Sequence, residues 1–107
     1  MSIIKLTDGV FVAPQISVSA MSDAVALGVT LVINNRPEDE SDDQTPGAEI
    51  EAAARAAGMD YVAIPVTHSG FSEPQVAAMA AALDSASGGV LAYCRSGHAL
   101  DIALGVG

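Results

Sequence analysis

Four short apolar runs recur along the chain: Val10–Ala13 (VFVA), Thr30–Asn34 (TLVIN), Tyr61–Val66 (YVAIPV) and Val90–Tyr93 (VLAY). Their length and content of β-branched and aromatic residues predict strands. Thr30–Asn34 has no polar alternation before its last residue, the pattern of a strand covered on both faces. Ile3–Leu6 reads as an extended segment leading into the first run. Pro14 closes that run and Arg36-Pro37 the second. Pro65 puts the third strand's end near it, or the strand near an edge.

Between these runs the apolar spacing changes to three and four. Ser22–Leu27 predicts a short helix with polar start residues, and Gly28 suits its C-cap. Thr45-Pro46 starts a second helix as a capping residue followed by Pro at the first helical position. Ile50, Ala53, Ala54 and Ala57 mark its apolar face, and Gly58 closes it. Ser72-Glu73-Pro74 opens the longest helix, with Val76, Met79, Ala80 and Leu83 spaced for one buried face. Strands alternating with helices predict an α/β fold of three layers, with a mainly parallel four-stranded sheet and right-handed crossovers. No internal repeat or low-complexity tract interrupts the pattern.

The 107 residues make one domain, and half of them are hydrophobic. Phe11, Tyr61, Phe71 and Tyr93 are all the aromatics. The core is therefore light, and alanine must bring helices close to the sheet. The formal net charge is −9. That argues against nucleic acid and against an anionic membrane surface, both of which call for Lys/Arg patches. Seven of the thirteen acids fall between Glu38 and Glu51, and the Glu38–Gly47 part of that stretch reads as a solvated loop. A single cysteine excludes an internal disulfide and any multi-cysteine metal site, and no cofactor is expected. No apolar run approaches the roughly 20 residues of a membrane span. Met1–Lys5 does not open a secretory signal. The expectation is a soluble cytoplasmic domain.

The chemistry concentrates after the last strand. In open α/β sheets ligands bind outside the carboxyl ends of the strands. Cys94 sits at such an end and precedes what reads as a helix start. Orphan backbone N–H groups and the positive end of a helix dipole favour the thiolate, which is the nucleophilic form. Arg95 adds positive charge, and Gly97 permits a tight turn around an anion. The plain alternative is a buried structural cysteine.

Gln15-Ile16, Ile33-Asn34-Asn35-Arg36-Pro37, Ala48–Ala54, Ile64-Pro65-Val66-Thr67 and Ala92-Tyr93-Cys94-Arg95-Ser96-Gly97 carry a family resemblance. The chain resembles the phosphatase-like domain of the β-lactamase-hydrolase-like proteins. That resemblance implies a protein tyrosine phosphatase-like fold, short here of its C-terminal helices. In bacteria such a domain stands alone or beside a metallo-β-lactamase-type domain, in sulfide-linked contexts. It also implies Cys94 as catalytic nucleophile, with the backbone N–H groups of residues 95–98 (Arg95, Ser96, Gly97, His98) as anion cradle. The substrate would be a small anionic or phosphorylated molecule. A rhodanese-like sulfurtransferase would use the same Cys-Arg-Ser-Gly core to carry a persulfide drawn from a sulfane-sulfur donor. An inactive anion-binding or interaction module is the reading of a different class.

The chain departs from the family after Gly97. The resemblance leads one to expect Thr-Arg-Ser, whereas this chain has His98-Ala99-Leu100. Neither Ala99 nor Leu100 can clamp an anion. By analogy with oxyanion donors the loss is roughly 3–4 kcal/mol, about a hundred- to thousandfold in rate. With one choice of GC-rich codons, residues 97–105 regain Gly-Thr-Arg-Ser on deletion of one base; the expectation drawn from this is that residues 98–107 are read in a shifted frame, which the gene sequence decides. Phosphatase chemistry also needs a general acid. His68 stands in the loop after the third strand; its plain reading is an exposed loop histidine. Arg36, at the end of the second strand, is a candidate for substrate binding, against a plain pairing with the acidic loop. Asn35 reads as shaping the turn before Pro37.

Overall fold

The computed structural model describes residues 3–7, 9–14, 16–35, 46–64 and 73–93. In chain order the elements are β1 (Ile4–Thr7), β2 (Val10–Ala13), α1 (Ala20–Ala26), β3 (Val29–Asn34), α2 (Gly47–Ala56), β4 (Asp60–Ala63), α3 (Glu73–Ser85) and β5 (Gly89–Tyr93). The strands form one sheet in the order β1-β2-β5-β3-β4. β2, β5, β3 and β4 are mutually parallel, as the four apolar runs lead one to expect. The Ile3–Leu6 segment does more than lead into β2. Its Ile4–Thr7 part pairs antiparallel with β2 as a fifth strand at the edge.

The placement of helices follows from the strand order. The steps β2 to β3 and β3 to β4 run one way across the sheet, and the step β4 to β5 runs back. With crossovers of one hand, α1 and α2 must share a face and α3 must lie on the other. The buried clusters obey this. Ala20, Met21 and Ala24 of α1 and Ile50 and Ala54 of α2 pack with Ala13, Val32, Leu91 and Tyr93. Met79 of α3 packs with Val12, Leu31, Ile33, Val90 and Ala92. The sheet is thus the middle of three layers, and successive residues of β5 alternate between the two clusters.

β3 breaks that alternation once. Val29 and Val32 lie in the first cluster while Leu31 and Ile33 lie in the second. Two residues on one face at a spacing of three require one extra residue, and the register with β5 shifts between Val29 and Leu31. The amino ends of β3 and β5 are close: Gly89 N donates to Gly28 O at 2.9 Å. A Cβ on Gly89 would stand 3.0 Å from that same oxygen.

Alanine brings the helices close, as the sparse aromatics lead one to expect. Ala20, Ala24 and Ala54 have no exposed surface at all. Element ends differ from the sequence reading in detail. α1 starts at Ala20 rather than Ser22, and β4 spans Asp60–Ala63 rather than Tyr61–Val66. Pro46 is the N-cap of α2 and not its first helical residue, because its ψ of 141° is extended. Gly28 and Gly58, at φ +85° and +87°, follow the C-caps of α1 and α2 in the left-handed conformation that glycine takes at no steric cost. Ala57 and Ala80, expected on buried faces, are exposed.

Candidate functional site

The carboxyl ends of three strands meet at one edge of the sheet. The ladder runs one step past β3, where Asn35 N donates to Tyr93 O at 2.9 Å. On the other side of β3, Ile64 N donates to Asn34 O at 2.8 Å. Asn34–Asn35, Ile64 and Tyr93 are therefore locked in one row. Arg36, Pro65 and Cys94 are the residues that follow these three in sequence. β5 is its central strand, with β2 and β3 on either side, so Cys94 follows the most enclosed strand end.

Two consecutive asparagines build the row, and both are buried. Because strand residues alternate, they serve opposite faces. Asn34 Nδ2 donates to the Tyr61 hydroxyl at 2.9 Å, on the α2 side. Asn35 Nδ2 donates to Ile64 O at 3.0 Å and approaches Met79 Sδ of α3 at 3.4 Å. Asn35 Oδ1 is buried and has no hydrogen-bond partner among the described residues. Asn35 therefore does more than shape a turn: it ties β4, β5 and α3 together at the edge from which Cys94 departs. A pair of amides at the end of an apolar run was the available signal, since a solvent-facing turn has no need of two.

The residues at these strand ends, Ala13, Asn34, Asn35, Ala63, Ile64 and Tyr93, carry no charge. Arg55 pairs with Glu51 at 3.0 Å, one turn apart on the exposed face of α2. No described group of three or more His, Cys, Asp or Glu side chains could hold a metal ion. Cys94, Arg95, Ser96, Gly97 and His98 lie outside the described residues, as do Arg36 and His68. The structure places the strand ends from which these segments issue.

The family model for the beta-lactamase hydrolase-like protein, phosphatase-like domain, matches residues 2–105. A beta-lactamase hydrolase-like protein of Agrobacterium fabrum is 31% identical over 97 residues, which is 91% of this chain. The chain spans only 22% of that relative's length, so the relative carries further polypeptide beyond the matching part. A crystal structure of a candidate phosphatase from Neisseria meningitidis superposes with a TM-score of 0.90 at 29% identity, covering 98% of this chain and 75% of that one. Pseudomonas aeruginosa TpbA, at 15% identity and a TM-score of 0.66 over 89% of this chain and 54% of its own, shares the fold. The α/β architecture is that of the protein tyrosine phosphatase-like structures. Among the described residues no helix is long and apolar enough to cross a membrane.

Proposed function

The chain belongs to the phosphatase-like domain family of the beta-lactamase hydrolase-like proteins, and from that premise we propose that it is a cysteine-dependent phosphatase-like hydrolase domain with Cys94 as its nucleophile. One observation carries the reading. Cys94 directly follows Tyr93, whose carbonyl is held by Asn35 N at the carboxyl edge of the sheet's central strand. In an α/β sheet that edge is where ligands bind.

In this reading the Cys94 thiolate attacks phosphorus of a small phosphorylated substrate. A phosphocysteine forms as the bond to the leaving oxygen breaks, and that oxygen takes a proton from a general acid, for which His68 is the candidate. Water then attacks the phosphocysteine and gives a proton back to that same acid, which releases phosphate and returns the thiolate. Backbone N–H groups of Arg95, Ser96, Gly97 and His98 cradle the anion, and Arg36 helps to hold the substrate. His98-Ala99-Leu100 offers no arginine clamp, so turnover is slow. A lone free thiol persists most readily in a reducing compartment, which suits the cytoplasm. In longer relatives a metallo-β-lactamase-type domain is the proposed neighbour.

The test uses the single cysteine. Alkylation by iodoacetamide is followed against pH by intact mass, beside phosphate release from an aryl phosphate. A midpoint well below the roughly 8.5 of a free thiol, with slow release that Cys94→Ser abolishes, supports the proposal. A midpoint at or above that value, or release indifferent to Cys94→Ser, overturns it. A persulfide on Cys94 after exposure to thiosulfate, with no phosphoryl adduct from the aryl phosphate, would instead identify a sulfurtransferase.

A further inference from the structure

We infer that the groove between α3 and the edge strand β4 binds a small molecule that carries a protonated amine on an apolar body. The groove holds about 500 Å³, within the roughly 300–1,000 Å³ of small-molecule sites. Leu31 and Val62 form its sheet side, and Ala78, Ala81 and Ala82 its helix side. The three alanines stand three and four apart, so they share one side of α3, and their short side chains leave the space open. The polar side chains among the described lining residues are Thr30, Asp60 and Ser85, and all three offer acceptors. The Ser85 hydroxyl donates to Ala82 O at 3.1 Å and the Thr30 hydroxyl to Gly89 O at 3.4 Å. Each hydroxyl has one proton, so what remains for a ligand is lone pairs. Asp60 shares a face of β4 with Val62, two residues on, and its carboxylate only accepts. Ser85 ends α3, whose last carbonyls carry partial negative charge, and the last turn of α3 has no basic residue. The described basic side chains lie elsewhere. Lys5 is on β1 at the opposite edge of the sheet, and Arg55 reaches Glu51 and the Tyr61 carbonyl. An apolar trough with acceptors and negative charge at one end is the complement of a hydrogen-bond-donating cation with an apolar body. An anion of the same shape is repelled, and the net charge of −9 adds to that. Thr30 and Asp60 stand at the amino ends of β3 and β4, and Tyr93 at the carboxyl end of β5. The groove is therefore separate from the strand end that Cys94 follows, and the inference does not rest on the reading of Cys94.

The test titrates the full chain with hexylammonium, 1-hexanol and hexanoate, which share a body and differ in charge. Salt at about 0.15 M screens exposed charges beyond about 8 Å. Backbone amide NMR shifts report where each probe binds. Hexylammonium is expected to move the amides of Thr30, Leu31, Asp60, Val62, Ala82 and Ser85. It should bind about fivefold more tightly than hexanol, the most that one exposed ion pair supplies. Hexanoate is expected not to bind. Asp60→Asn should bring hexylammonium down to the affinity of hexanol. Ala81→Leu grows into the groove from an exposed helix position. It should weaken hexylammonium and hexanol alike, about tenfold, by denying each about two buried methylenes. The amide spectrum shows whether each variant is folded, and Asp60→Ser or Ala78→Leu takes the place of one that is not. No movement of the groove amides overturns the inference. So does equal binding of the three probes, or an ammonium preference that survives the Asp60 change. Shifts spread over the acidic surface and indifferent to the Ala81 change also overturn it, because plain ion pairing would then be the cause.

Discussion

Replacing Ile50 by alanine tests how α2 is held to the sheet. Ile50 is the one large side chain on the buried side of α2, whose other contributors are Gly47, Ala54 and the half-buried Ala53. It has no exposed surface. The change removes three carbons, and at about 0.8 kcal/mol per buried methylene the transfer loss is about 2.4 kcal/mol. The cavity adds to this, because a core closes only partly over a hole. Its cluster includes Ala20, Ala24 and Ala54, which have no rotamers to move, and Val32, which is stiff. Met21 and Met59 in the same cluster are flexible and can fill part of the space. The expected cost is therefore about 3 kcal/mol, inside the 2–5 seen for such changes. A domain of this size holds about 5–15 kcal/mol in all. Equilibrium urea unfolding is the assay, and at a slope of about 1.5 kcal/mol per molar the midpoint falls by about 2 M with the slope unchanged. Ile50→Val, losing one carbon, should cost about 1 kcal/mol. A loss below about 1.5 kcal/mol for Ile50→Ala would be less than the transfer term alone and would refute the packing of α2 described here.

Tyr61→Phe removes the hydroxyl that accepts from Asn34 Nδ2; urea unfolding should show a loss of about 1 kcal/mol. Gly89→Ala drives a Cβ to 3.0 Å from the Gly28 carbonyl oxygen, a backbone atom that cannot swing away. It should cost about 1–3 kcal/mol, read as a lower melting temperature. Glu51→Gln breaks an exposed one-turn pair with Arg55, and its effect on stability, read by urea unfolding, should stay within about 0.5 kcal/mol. The triple change His98→Thr, Ala99→Arg and Leu100→Ser installs the clamp the family resemblance leads one to expect. Cys94-dependent phosphate release should rise about a hundred- to thousandfold, and an unchanged rate would remove the clamp argument.

The features legible in the sequence are those that local pattern can carry. Thr30–Asn34 announced itself as a doubly covered strand because the unbroken apolar run has no solvent face to supply, and β3 is buried on both sides. Cys94 stood out because a strand followed by Cys-Arg-Ser-Gly is itself a short-range signal. Pro46 was misread by one position because its φ of −57° fits both the cap and the first helical residue, and only ψ separates them. Ile3–Leu6 was less legible as a strand because edge strands pair on one side and need no continuous apolar run. The role of Asn35 was illegible for a deeper reason. Its partner Ile64 O lies 29 residues along the chain and Met79 lies 44 residues along. No local pattern reports that β5, last in the chain, inserts beside β3. Once that insertion is known, an asparagine that resembles a turn former becomes the point where three elements are fastened.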